Sequence, residues 1–398
     1  MKKILILGAG IYQVPLIKKA KEMGLYTIVA SIPGNYPGFS YADKVVYENT
    51  TSADAILKIA REEKIDGICT TGTDVAVITI GKVCDAMGLR GVPTKGAEIA
   101  CDKSLMKKAF QEHGVQTAQC RHVPLDAPQD EIKAICEELG YPVIFKAIDS
   151  SGSRGITKVS SAEDIKKAYQ AVCDVTKHQE YLIETYLVGD EFGAQAFVQD
   201  GKLEFVLPHG DYVFKGDTGV PVGHYAPYDL PQLQGEIEEQ TLRAVQAMGI
   251  DNCAINADFM LCNGKVYVLE IGARGGATCL VELVSLYYGY DYYEKILRVA
   301  LGEKVDFSPA NEVRLPNASH LLTSDREGTI VAIHNENVPN DNLVDVSFDY
   351  GVGDHVRKFN VGPDRLGHVI VTGKTLEEAE ENLNVAMKRI QIQVDENA

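Results

Sequence analysis

Residues 255–276, INADFMLCNGKVYVLEIGARGG, decide how the chain is read. Two apolar runs flank Asn263-Gly264, a strong short-range hairpin signal, so the segment is two antiparallel strands. Asp258 nevertheless stands in the first arm, Glu270 in the second and Arg274 just beyond. Buried charge is costly unless it is paired or bound to something. Side chains alternate along a strand, so Glu270, Gly272 and Arg274 point one way. Whether Asp258 joins them depends on register. A two-residue turn at Asn263-Gly264 sets Asp258 opposite Leu269 and sends Glu270 to the other face. A three-residue loop, Cys262-Asn263-Gly264 with Gly264 as a left-handed bulge residue, sets Asp258 opposite Val268. Glu270 is then its diagonal neighbour, roughly 7–8 Å away. In that register the carboxylates can share a cation, and oxygen-only ligands favour Mg²⁺ or Mn²⁺.

Working outward, "EFGAQAFVQDGKLEFVLPHG" is a second hairpin, turning at Asp200-Gly201. "YPVIFKAIDSSGSRGITKVSS" reads as two strands joined by a Gly/Ser loop at 149–155, whose successive backbone N–H groups suit phosphate oxygens. A helix at about 161–175 and the strand "EYLIETYLV" follow, giving a mixed α+β unit from about 115 to 305. Upstream, strands such as "ILILGA" and "YTIVAS" alternate with helices near 14–23 and 53–63, the pattern of a parallel α/β sheet. Downstream, "GTIVAIHNE", "GHVIVTG" and the helix "TLEEAEENLNVAMKRI" form a small α+β tail. "GAGIYQ" sits where a dinucleotide fingerprint would, but Gln13 replaces the third glycine, which argues against NAD. A P-loop signature is absent from the sequence.

The 398 residues carry a net charge of −17 and are 45% hydrophobic, with no run near the ~20 apolar residues of a membrane span. "MKKILILGAG" is read as a first strand rather than a secretory leader, because an amphipathic helix follows the short apolar run. The acidic balance argues against binding along a nucleic-acid backbone. Nine scattered cysteines without a CxxC pair suggest reduced thiols and a cytoplasmic setting.

These motifs in this order resemble the ATP-grasp ligases of the carbamoyl-phosphate-synthetase/biotin-carboxylase branch. The ending "EIGAR" and the segment "VPVGHYAP" (220–227) look like the L-amino-acid ligase and carboxylate–amine ligase subgroup. The resemblance implies a Rossmann-like leading domain (1–114), a small ATP-grasp subdomain with the lid (115–187), a large one with the metal site (188–310) and a C-terminal α+β domain (311–398). It implies that Lys103 of "DK" and Lys146 of "VIFKA" contact nucleotide phosphates, with Ser151, Gly152 and Ser153 in the lid. Glu184, Tyr186 and Leu187 of "IETYLVGDE" would hold adenine, mostly through backbone groups, and Glu191 the ribose. Asp258 and Glu270 match the metal acids, and Arg274 the arginine on the transferred phosphate. Two departures stand out: Asp258 is a shorter arm than the usual Glu, and Gly272 replaces an Asn that helps hold a second metal.

The expected activity is therefore ATP-dependent ligation of a small-molecule carboxylate to an amine through an acyl phosphate, with ATP and Mg²⁺ (or Mn²⁺). His224 is a candidate contact to the substrate or phosphate, and the amide of Gly276 a candidate oxyanion donor. Homodimerisation is common in the family. A purine-pathway ligase or carboxylase with a sugar phosphate near "GAGIYQ", and a nucleotide-binding regulator without catalysis, are the alternatives.

Overall fold

The structure, a computed structural model, describes residues 1–148, 155–215, 219–310 and 312–396. The first sheet is parallel. β1 (Lys3–Leu7), β2 (Tyr26–Ser31), β3 (Lys44–Tyr47) and β4 (Gly67–Cys69) lie in the order β3-β2-β1-β4. Its centre strand, KILIL, is continuously apolar because helices cover both faces, and Ile4 to Leu7 are fully buried.

A second, antiparallel sheet holds β5 (Cys120–Pro124), β6 (Val143–Lys146), β7 (Ile156–Val159) and β8 (Glu180–Thr185) in the order β5-β8-β6-β7. The expected lid residues Ser151, Gly152 and Ser153 lie outside the described residues.

The site sheet begins with β9 (Asp190–Gln199), β10 (Lys202–Val213), β11 (Pro221–Ala226), β12 (Cys253–Cys262) and β13 (Lys265–Gly272). Later come β14 (Asn317–Leu322), β15 (Gly328–Asn335), β16 (Leu343–Phe348), β17 (His355–Val356), β18 (Gly367–Thr372) and β19 (Ile390–Asp395). Eight of these strands pair in the order β13-β12-β9-β10-β11-β14-β18-β16, and β17-β15-β19 form a small sheet beside them. Strand pairing thus runs straight across residue 310, where sequence alone suggests a boundary, because β11 finds its free edge filled by β14.

One face of this sheet is apolar. Phe192, Ala194, Ala196, Val198, Ile255, Ala257 and Phe259 are buried with Ile237, Ala244, Val245 and Met248 of helix Gln234–Met248. The Phe192 ring stacks between Tyr228 and Phe259 at 5.1 and 5.2 Å. Each fully buried Val, Ile, Met or Phe among them contributes roughly 1.5–3 kcal/mol. The alternate positions, Glu191, Gly193, Gln195, Asn256 and Asp258, therefore face the other way.

Of the two loops the sequence allows, the shorter one forms. Cys262 pairs with Lys265, so the turn has two residues, not three, and φ is positive at both Asn263 (51°) and Gly264 (73°). That is the primed turn Asn-Gly favours, since its twist matches the strands. The register step comes instead from a bulge within the strands. Phe259 pairs with Val268, yet Asp258 pairs with Glu270, which leaves Leu269 as the extra residue. Val266 and Val268 point to the core before the bulge and Ile271 after it. The bulge therefore turns Glu270 to the same face as Asp258, directly opposite it.

Candidate active site

Strand pairing builds the site as a row. Glu270 pairs with Asp258, Asp258 with Gly193, and Gly193 with His209. Register partners in antiparallel strands share a face, so carboxylate, carboxylate, gap and imidazole succeed one another across four strands. Burial and the facing Glu270 push the Asp258 carboxyl up to about 8, with Asp211 and Glu191 adding to the repulsion and Arg274 opposing it. Two opposed carboxylates that resist joint ionisation are a donor set suited to a hard divalent cation. The residues present thus fit Mg²⁺ or Mn²⁺.

Cations ring this pair. Asp102 caps helix Lys103–Glu112, its Oδ1 accepting from the amides of Ser104 and Leu105 at 2.8 and 3.0 Å. That cap fixes Lys103 at the first helical position, and its Nζ lies 3.0 Å from Glu270 Oε1. Lys146 donates to Glu184 Oε2 at 2.8 Å. A second lysine, Lys107, lies 3.5 Å from the same oxygen and donates to Thr117 Oγ1 at 2.6 Å. Glu184 is 1% exposed. Burial alone would raise its pKa, but the two ammonium groups hold it below the usual carboxylate range. Burial pulls Lys107 down against Glu184, whereas in Lys146 the carboxylate overcomes burial and the pKa rises. Sequence reading missed Lys107, which sits on an amphipathic helix and carries no motif.

Arg274, just beyond β13, is already engaged. Its Nε and Nη2 donate to Asp74 Oδ1 and Oδ2 at 2.8 and 2.9 Å, a bidentate pair reaching from the leading domain. A phosphate would therefore meet the guanidinium on its other edge, where Nη1 lies 3.4 Å from Gly275 O. Asp74 also takes the space left at Gly272, where an added Cβ would stand 3.2 Å from Asp74 Oδ1. No sequence signal singled out Asp74.

Gly276 calls for a correction. Its amide donates to buried Gln195 Oε1 at 2.9 Å, while Gln195 Nε2 donates to Asn256 Oδ1 at 2.6 Å. The N–H expected to face an oxyanion is consumed by a side chain, a cheaper arrangement than leaving it unsatisfied. In the segment expected to hold adenine, Tyr186 N donates to Pro142 O at 3.1 Å, and Leu187 follows it. Glu191 lies on the site face of β9, exposed.

His224, on β11, pairs with Asp211 on β10, and its Nδ1 lies 2.6 Å from Asp211 Oδ1. His209 Nδ1 is 3.1 Å from the same oxygen. One ligand atom from each of the three residues lies within 4.8 Å of the others. Both histidines are 3% exposed.

The leading loop is closed by its own side chain. Gln13 Oε1 accepts from the Gly10 amide at 2.9 Å, and Gln13 Nε2 donates to Thr71 O at 2.5 Å. Gly8 takes φ 100°, and a Cβ there would meet Gln13 Oε1 at 2.9 Å.

This geometry agrees with the comparisons to known proteins. The family signature "ATP-grasp domain" matches residues 139–282, and "L-amino acid ligase C-terminal domain 2" matches residues 320–395. A crystal structure titled phosphoribosylglycinamide synthetase, from Anaerococcus prevotii, is 32% identical, with 99% of this chain and 100% of that one covered at a TM-score of 0.86. The chain belongs to the ATP-grasp family. A formate-dependent phosphoribosylglycinamide formyltransferase from Methanocella arvoryzae is 24% identical over 99% of this chain and 93% of its own length. The fold is shared with an L-amino acid ligase from Bacillus licheniformis, TM-score 0.80 at 20% identity and 99% coverage of both chains. This ATP-grasp protein is an ATP-dependent ligase of the carboxylate–amine class. No helix among the described residues is long and apolar enough to cross a membrane, and all nine cysteines are free thiols.

Proposed function

We propose that the protein activates a small-molecule carboxylate, of the amino-acid class, as an acyl phosphate and joins it to an amine, releasing ADP and phosphate. The observation that carries this reading is the direct opposition of Asp258 and Glu270 on one sheet face, with Lys103 at 3.0 Å from Glu270. Phosphoryl transfer needs positioning and charge neutralisation more than proton chemistry. Lys103 and Lys146 neutralise nucleotide phosphates, and Glu184 and Lys107 hold Lys146 in place from a buried position. Asp258 and Glu270 would hold the Mg²⁺, which supplies neutralisation of the transferring phosphoryl group. Arg274, anchored by Asp74, presents its remaining N–H groups to the acceptor carboxylate and the transferred phosphate.

A purine-pathway reading with a phosphoribosyl substrate draws support from the 32% identical relative. One feature weighs against it: the Gly10 amide that would greet a sugar phosphate at "GAGIYQ" is occupied by Gln13. The test is ADP release measured over a panel of amino acids, dipeptides and phosphoribosyl amines, with ATP and Mg²⁺. Amino-acid-dependent release is expected. Release stimulated by phosphoribosyl amines and by no amino acid would replace this reading with the purine one.

A further inference from the structure

The ligation half of the reaction has a proton problem that the phosphoryl machinery does not solve. An α-ammonium group is mostly protonated at neutral pH and cannot attack until it loses a proton. Four of the carboxylates around the site are committed, and Glu191 stands at the exposed start of β9. Asp258 and Glu270 form the cation pair, Asp74 is forked to Arg274, and Glu184 is locked between two lysines.

The imidazoles on the same face are not so committed. Asp211 Oδ1 is within hydrogen-bond distance of both His224 Nδ1 and His209 Nδ1. Burial would raise the Asp211 pKa, but the two histidines hold it far below the ordinary carboxylate value, so it is ionised. An ionised carboxylate only accepts hydrogen bonds. Each Nδ1 must then carry a hydrogen directed at Asp211, and in a neutral ring so held Nε2 is the lone pair. This is the arrangement by which a carboxylate fixes an imidazole tautomer for proton transfer.

The two rings are not equivalent. His209 packs against Gly193, where an added Cβ would stand 2.4 Å from its Nε2. That nitrogen is buried without a hydrogen-bond partner. Burial holds His209 in its neutral form, and charge on His224 disfavours its protonation further. His209 Nε2, pressed against Gly193, has no room to meet a ligand, which leaves His224 as the ring of the pair able to take a proton from one. Asp258 and His224 stand three strand spacings apart at ~4.8 Å each, and His224 pairs with Asp211, two residues along β10 from His209, so their Cα atoms are roughly 16 Å apart. With side chains reaching inward from both ends, that span holds a phosphorylated carboxylate at one end and an amine at the other.

Building on the ligase reading above, we propose that His224, oriented by Asp211, is the proton acceptor for the incoming amine. The ammonium gives one proton to His224 Nε2, and the freed nitrogen lone pair attacks the acyl carbon. The C–N bond forms, the C–O bond to phosphate breaks, and the departing phosphate takes its electron pair and the second amine proton. Asp211 is a positioning residue, and His209 is a neutral prop that closes the gap over Gly193.

The test compares two acceptors in the same enzyme: an amino acid, and hydroxylamine, which is already unprotonated at neutral pH and traps acyl phosphates as hydroxamates. In His224→Gln the ratio of amino-acid to hydroxylamine turnover should fall about a hundredfold, the scale of general base catalysis. Asp211→Asn should lower the same ratio by a smaller factor. Equal loss with both acceptors would overturn the proposal, since a substrate contact or a structural role slows both. An unchanged ratio in a working His224→Gln enzyme would overturn it as well. If the unaltered protein forms no hydroxamate with any carboxylate, the acyl-phosphate reading fails first and takes this proposal with it.

Discussion

Asp258→Asn should make the cation-free protein more stable, which is unusual for a substitution in an active site. In the native state the Asp258 carboxyl titrates at about 8, because it is buried opposite Glu270 with Asp211 and Glu191 nearby. In the unfolded chain it titrates at about 3.9. The native state holds this proton more tightly, so the stability of the cation-free protein falls as pH rises between those values. The full gap corresponds to roughly 5 kcal/mol at pH 8, and relaxation around the ionised group reduces what a melt records to about 1–3 kcal/mol. Asn keeps the shape of the protonated acid and never ionises. Thermal melts in EDTA should therefore show Asp258→Asn several degrees above the unaltered protein at pH 8 and level with it near pH 4. Adding Mg²⁺ should reverse the order at pH 8, since a ligand stabilises only the form that binds it. A variant less stable at pH 8 in EDTA, or an equal gain from Mg²⁺ in both proteins, would refute the reasoning.

Other outcomes follow from the same contacts. Glu184→Gln leaves Lys107 and Lys146 buried without their carboxylate, and loss of one partner from such a cluster costs about 3–5 kcal/mol. The urea midpoint should drop accordingly, and an unmoved midpoint would mean that the lysines are solvated. Arg274→Lys should cut kcat/KM about a hundredfold with the melt little changed. An ammonium cannot span both Asp74 oxygens and still offer a fork to phosphate; a loss under threefold would show that the fork is unnecessary.

Local chemistry made much of this molecule legible. Asn263-Gly264 and Asp200-Gly201 dictate tight hairpins because both central residues must take positive φ, and both do. Asp102 ahead of Lys103 announces a helix start through its side-chain cap. The register of the metal hairpin was harder to read. The spacing of Val266, Val268, Ile271 and Ala273 carries a three-residue step in the apolar pattern, which a bulge produces and a longer loop, leaving Val268 and Glu270 on one face, does not. Cross-strand pairing places that bulge at Leu269.

What the sequence alone determined is each residue's neighbourhood along its own strand or helix, where period and propensity act over a few residues. The tertiary structure decided what converges. Asp74 meets Arg274 across 200 residues of chain, Lys107 meets Glu184 inside a second sheet, and His209, Asp211 and His224 gather over Gly193. Such contacts follow from which strands lie side by side. Strand order is settled by the burial of whole faces rather than by any residue's own preference, so no local signal could have announced them.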